Sequence, residues 1–490
     1  MKIVNKNLTY WLLFFLCLTG ICFAITGCSS PGKKSIQVSQ QNPHYWEFNG
    51  KPVLLLGGSD EDNLFNNPEM MRKNLDILAE IGGNYIRGTL SCRDEGDVWP
   101  YAKDENGDKY NLDEFNPEFW NRLDTCLRET EKRDIIVQIE VWATFDYYRD
   151  NWLVNPFNPA NNINYTTENT RLESEWDHHP ARKAQPFFYS VPEINDDRIL
   201  LRYQEAFIRK VLDVTGPHSN VLFSLDNETR APAEWALYWG KFIADEMEKR
   251  GKRINLTEMW DQWDITHVDH ATTYRHPEYF SYTDVSQNNW QEGQTHYDRL
   301  IWYRNNLAEQ QGGVRPMNNV KVYARLSGNR PNDYAIGVDR WWQNIFAGCG
   351  STRFHRPDSG SGLDETAQKM IKAARVFTSE FEIFSCEPLP DLLSDHNENE
   401  AYCLADPGKV YAVYFPNGGK ARLRIREDEK SHVVKWFDVE HAEFMKSSLQ
   451  DAILGTDIKN SQNIMTVEQK YIILTSPESE KLQLALIECL

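Results

Sequence analysis

Asn220-Val221-Leu222-Phe223-Ser224-Leu225 is a short apolar run that ends on the polar stretch Asp226-Asn227-Glu228-Thr229. A run of this length with turn-forming residues at its end reads as a strand buried on both faces. On either side, Asp196–Val214 and Pro232–Arg250 carry apolar residues at helical spacing. Helix, strand and helix in succession point to a parallel sheet, because parallel neighbours need a long crossover.

The alternation continues in both directions. Upstream, Val53–Gly58, Asn84–Leu90 and Ile135–Trp142 read as strands, separated by helices at Met70–Ile81 and Pro117–Arg133. Downstream, Ile254–Glu258, Tyr279–Asp284, Val320–Ala324 and Gly350–His355 are strands, with helices at Tyr297–Gln310, Gly337–Ala347 and Asp364–Ser379. Eight strands over about 320 residues predict a (β/α)8 TIM barrel. A doubly wound sheet fits the count less well, and no GxGxxG follows any strand. Ahead of the barrel, Asn49-Gly50 between two short apolar stretches predicts a hairpin. Beyond Leu393 the pattern changes to short strands at Ala401–Ala405, Val410–Phe415, Ala421–Ile425 and His432–Phe437. Turns such as Asp406-Pro407-Gly408 and Pro416-Asn417-Gly418-Gly419 divide them, the signature of a small antiparallel β-sandwich. The division is a barrel over 41–393 and a sandwich over 394–490.

The chain of 490 residues carries 53 Lys and Arg against 72 Asp and Glu, a formal charge of −19. An apolar share of 41% supports packed cores and excludes general disorder. The acidic balance argues against a nucleic-acid partner, which needs a basic face. Aromatic residues at 12%, with 16 Trp, suit a partner with flat apolar faces and polar edges, as a sugar has. Beyond Cys28, the cysteines at 92, 126, 349, 386, 403 and 489 show no zinc spacing, so buried thiols are expected and no metal or other cofactor is.

At the N-terminus, Lys2 and Lys6 precede an apolar run from Trp11 to Ile25. This is the build of an export signal over 1–27, too short for a stable span. The sequence Ile25-Thr26-Gly27-Cys28-Ser29-Ser30 resembles the lipobox of bacterial lipoproteins. The resemblance implies cleavage before Cys28, acylation of its sulfur, and a membrane-anchored, exported protein in the periplasm or at the cell surface. Residues 28–40 would be the tether.

A barrel of this kind keeps its site at the C-terminal ends of the strands. Those ends bring together Arg87, Glu140, Asn227, Glu228, Glu258, Asp284, Gln287, Lys321, Tyr323, Arg353 and His355. Many carboxyls at one mouth suit cleavage of a glycosidic bond, which needs a carboxylic acid and a carboxylate. Asn227-Glu228 at the end of the fourth strand resembles the acid/base motif of the cellulase-like clan A of retaining glycoside hydrolases. The resemblance implies Asn227 on the sugar 2-hydroxyl and Glu228 as general acid/base. The chain beyond residue 40 also resembles an apiosidase-like, uncharacterised group of barrels that ends in a domain called collagen-binding. The matching stretches are Asn49–Pro52, Asp226–Thr229, Arg353–Pro357, Tyr411–Gly419 and Trp436–Asp438.

The clan carries its nucleophile on the seventh strand, where this chain reads Val322-Tyr323-Ala324-Arg325-Leu326-Ser327 with no carboxylate. Three readings stand: Asp284 or Glu258, with Glu140 behind them, supplies the second carboxyl; the enzyme inverts; or the barrel binds carbohydrate without cutting it. Trp142 and Trp260 read either as core or as stacking surfaces for a sugar ring. Arg353, His355 and Arg356 read either as substrate contacts or as an ion-pair network with Asp339 or Asp358. Glu175-Trp176-Asp177-His178-His179 reads as a solvated loop in preference to a cation site.

Overall fold

The computed structural model describes residues 35–325, 333–426, 428, 431–446, 450–451, 454–458 and 468–489. The export signal, Cys28 and the tether up to Lys34 lie outside the described residues. The expected strands are β1 Leu55–Gly58, β2 Tyr85–Thr89, β3 Ile136–Ala143, β4 Val221–Asn227, β5 Leu256–Thr257, β6 Thr283–Asp284, β7 Met317–Val322 and β8 Ser351–Phe354. They form one eight-stranded sheet in the order β5-β4-β3-β2-β1-β8-β7-β6, every neighbour parallel. Between β5 and β6 the Ser281 N–H donates to the Leu256 carbonyl at 3.1 Å, so the sheet closes almost fully into a barrel. Helices including Pro68–Glu80, Pro117–Lys132, Arg198–Thr215, Ala233–Lys249, Gly293–Glu309 and Tyr334–Phe346 join the strands.

Strand pairs come close where side chains vanish. Gly57 lies opposite Tyr85, and a Cβ at Gly57 would run into the Tyr85 carbonyl oxygen. The predicted hairpin precedes β1: Trp46–Phe48 pairs antiparallel with Lys51–Val53 across Asn49 and Gly50, both at positive φ. It delivers Trp46 to one end of the barrel, in an apolar plug with Leu55, Tyr85, Ile136, Leu222, Tyr282 and Val320. The Trp46 indole donates to Asn318 Oδ1 at 2.9 Å.

Two expected strands shift. β7 begins at Met317, because Asn318 and Asn319 are buried ladder residues that an apolar-run reading passes over. Only Thr283–Asp284 of the sixth stretch joins the sheet; Tyr279 instead packs against Gly240 of helix Ala233–Lys249.

After the barrel, Tyr402–Asp406, Val410–Phe415, Gln483–Cys489 and His432–Asp438 form one antiparallel sheet. Lys420–Arg424 pairs with Glu468–Thr475 in a second sheet. The core between them holds Tyr411, Val413, Phe415, Leu423, Trp436 and Ile472. The other face of the first sheet packs on the barrel's helices through Tyr414, which meets Trp342 and Phe346. Antiparallel pairing already begins at Glu387–Pro388. Cys92, Cys126, Cys349, Cys386 and Cys403 are buried thiols.

Candidate active site

β4 ends by turning sharply. Glu228 adopts φ of 62°, a left-handed conformation that costs a residue with a Cβ about 1–2 kcal/mol. Strain of this kind persists only where its surroundings hold it. Lys321, near the end of β7, binds Glu228 Oε1 through its Nζ and reaches Asn227 Oδ1 at 3.2 Å. The Tyr323 hydroxyl lies 3.4 Å from the same carboxylate oxygen. Tyr323 is edged by Trp290, at 5.8 Å between ring centroids, and by His355, at 4.9 Å. The Trp290 indole donates to Gln287 Oε1 at 3.0 Å, and Gln287 Nε2 has no hydrogen-bond partner among the described residues. Thus Asn227, Glu228, Gln287, Tyr323 and His355, drawn from four strand ends, share one mouth.

The charge state of Glu228 differs from that of a resting acid. Burial pushes its carboxyl up, but the Lys321 ammonium, with Gln287 and Arg87 behind it, holds it below the ordinary glutamate range. An ionised carboxylate accepts a proton; it does not donate one. The expected acid is therefore ionised in the resting protein.

Charged groups buried beside the mouth pair with one another. Arg87 meets Asp62 at 3.0 Å and Glu140 at 2.6 Å, and the Thr89 hydroxyl donates to Glu140 at 2.9 Å. Arg353 meets Asp62 at 3.3 Å and donates to the Ser59 hydroxyl. Arg353 is wholly buried, so it is a structural cation and not a substrate contact. Its partner is Asp62; Asp339 instead accepts a hydrogen bond from the Tyr414 hydroxyl at 2.8 Å. Burial keeps His355 well below the usual imidazole range, hence neutral at pH 7. Arg356 pairs with Asp358 at 2.9 Å.

Several predicted residues stand elsewhere. Glu258 is 1% exposed. Its Oε1 accepts the backbone N–H groups of Asp226 and Met259 at 3.2 and 2.9 Å, and the Asp226 carboxyl acts on that of Glu258. Burial raises Asp226 to about 7 and, with Asp226 beside it, lifts Glu258 well above the usual range. This pair anchors the β4 turn and does not reach the mouth. Asp284 is likewise enclosed: Oδ1 accepts from the Ser286 N–H at 2.8 Å, and burial raises its carboxyl to about 6. Trp142 packs among Phe157, Phe187, Phe207 and Trp239, so it is core, not a stacking surface. Trp260 is buried and donates to Thr273 Oγ1 at 2.8 Å.

Two residues have roles that the sequence reading passed over. Lys321 was visible at the seventh strand end, but nothing in the sequence tied it to Glu228. Asp261 directly follows Trp260, and its carboxyl is raised by burial and by the Glu228 charge, against the pull of Arg230. Above them, the long loop after β3 brings Tyr148, whose ring lies 5.2 Å from that of His179.

No family model matches this chain, and no curated protein matches it. Solved structures do. One described as a glycoside hydrolase aligns with a TM-score of 0.60 at 12% identity, covering 93% of this chain and 97% of that one. A glycoside hydrolase family 5 protein from Bacteroides vulgatus aligns with a TM-score of 0.60 at 12% identity, covering 93% of each chain. At such identity the likeness is one of fold.

Proposed function

We propose that this protein hydrolyses O-glycosidic bonds of a polysaccharide or oligosaccharide, with Glu228 as the carboxylate that acts on the sugar. The observation that carries the reading is the Glu228 turn: a left-handed, non-glycine residue at the fourth strand end of a glycoside-hydrolase-like barrel. Its carboxylate is aimed into a mouth lined by Asn227, Gln287 and Tyr323. Strained residues of this sort cluster at functional sites. Asn227 and Gln287 would orient sugar hydroxyls, and Tyr323 and Trp290 would flank the ring. With Lys321 where the clan keeps its nucleophile, the route these residues favour is direct attack by water, from which Glu228 takes a proton. We further propose that the protein is exported and tethered through a lipid on Cys28.

The test is reducing-sugar release from a broad glycan panel by the chain from Ser35 onward, beside Glu228→Gln. A base of this kind contributes about 10²–10⁴-fold, so the variant should lose turnover by that factor. Equal turnover by the variant and the parent would refute the assignment.

A second reading, a carbohydrate-binding protein without turnover, is favoured by the Lys321–Glu228 ion pair, which damps the basicity of Glu228. Calorimetric binding of a glycan that is never cleaved would establish it.

A further inference from the structure

The geometry points to Asp261 as the proton donor to the departing sugar oxygen, an assignment that rests on the hydrolase reading of Glu228. β4 and β5 stay in step past the end of their ladder. The Thr229 N–H donates to the Met259 carbonyl at 2.9 Å, and the Asp261 N–H donates to the Thr229 carbonyl at 2.9 Å. Thr229 also forms an isolated bridge with Trp260. This extension pairs Thr229, the residue after Glu228, with Trp260 and places Asp261 one residue beyond that pair. Trp260, fixed through Thr273, holds the backbone from below.

Arg230 orients the side chain: its Nε meets Asp261 Oδ2 at 2.9 Å and its Nη2 donates to the Asp261 carbonyl at 3.0 Å. The other carboxyl oxygen, Oδ1, has no partner among the described residues. The Asp261 side chain keeps 15% exposure and that of Glu228 keeps 11%, whereas Glu258 and Asp284 are enclosed. Glu228 and Asp261 are thus the carboxyls of this group that keep access to solvent. Tyr148 is the aromatic residue that feels both charges, and His179 of the same loop acts on Asp261. The mutual effect is one-sided in the useful direction: Lys321 keeps Glu228 ionised, and the Glu228 charge with burial favours the protonated form of Asp261.

The step balances. Asp261 gives its proton to the glycosidic oxygen, which leaves with the electron pair of its bond to the anomeric carbon. A water oxygen forms the new bond to that carbon, and Glu228 removes a proton from the water. One water is consumed, and solvent returns a proton from Glu228 to Asp261.

The test compares aryl glycosides with poor and good leaving groups, phenyl against 2,4-dinitrophenyl, over a set of common sugars. Asp261→Asn should lose phenyl glycoside hydrolysis about 10²–10⁴-fold while 2,4-dinitrophenyl hydrolysis falls less than about tenfold, since that leaving group needs no proton. Glu228→Gln should lose both. Equal losses by Asp261→Asn on both substrates, or no loss, on an active parent would overturn the donor assignment alone. A parent that cleaves no substrate would overturn the hydrolase reading and the donor with it. A second measurement is independent of turnover: carbon-13 NMR titration of the aspartate carboxyls. The midpoint of Asp261 should fall when Glu228 becomes Gln, and an unchanged midpoint would show that the two carboxyls do not face each other.

Discussion

Replacing Lys321 by Met removes the ammonium that grips Glu228 and keeps the apolar length of the side chain. Glu228 is then a mostly buried carboxyl near the Tyr323 hydroxyl, with no cation bonded to it. It can remain charged at the expense of burial, or it can take a proton. Protonation sets the ceiling on the damage. In the unfolded chain a glutamate titrates near 4.3, so holding it protonated costs about 4 kcal/mol at pH 7 and about 1 kcal/mol at pH 5. The ceiling at pH 7 agrees with the roughly 3–5 kcal/mol seen when one partner of a buried ion pair is removed. The sign follows from the direction of the shift. In the parent the Glu228 pKa is lowered, so its stabilisation is present above the unfolded pKa and fades as pH falls through the folded one. Urea unfolding followed by tryptophan emission should therefore show a large loss for Lys321→Met at pH 7.5 and a small one at pH 5. The same substitution in a Glu228→Gln background should show a much weaker pH dependence. A loss of equal size at both pH values, or the same pH dependence without Glu228, would refute the electrostatic account.

Other expectations are briefer. Trp142→Ala should destabilise by about 3–5 kcal/mol, as for a large core ring, while the KM of the folded fraction stays unchanged; a raised KM at unchanged stability would return Trp142 to the substrate. The Asp226–Glu258 pair has raised pKa values, so its contribution is intact below about pH 4 and is lost as pH rises through 7. Glu258→Gln can keep both backbone bonds and removes the second charge. Its urea midpoint should match the parent near pH 5 and exceed it at pH 8.5, and a midpoint below the parent at pH 8.5 would contradict the raised carboxyl pair. Gly57→Ala should prevent normal β1–β2 pairing and lower the thermal midpoint strongly, because the obstacle is the Tyr85 backbone.

The barrel was legible because strand stretches alternate with helical patterns along the chain, and all but two of those stretches fall where the sheet has its strands. The exceptions share a cause. A strand is recognised by what it buries, yet directly after Met317 β7 carries Asn318 and Asn319, whose side chains bond inside the barrel. Asn318 binds Trp46 and lies 3.2 Å from the Tyr85 hydroxyl; Asn319 lies 3.2 Å from Asn289. In the sixth stretch Tyr279 and Phe280 face a helix, so hydrophobicity was present there without a ladder. The hairpin of Tyr101–Lys103 and Tyr110–Phe115 also went unread, since its strands alternate weakly and its exposed residues resemble a loop.

The site was legible to the extent that ordinal position and residue type suffice. Glu228, Asn227, Tyr323, Gln287 and His355 could be placed at one mouth because a strand end in a barrel implies one. What ordinal position does not convey is depth. Trp142 and Glu258 also stand at strand ends, yet the long loop after β3 covers the first and the Asp226 turn encloses the second. Nor does it convey register across strands, which is what bonds the Asp261 backbone to Thr229, the residue after Glu228. The seventh strand carries the sharpest consequence. A lysine in place of a carboxylate there changes more than one group, because its charge decides the protonation of Glu228 on the far side of the mouth. Glu228, kept ionised, needs a separate proton source if a bond is to break, and Asp261 is the open carboxyl in whose favour that same charge acts.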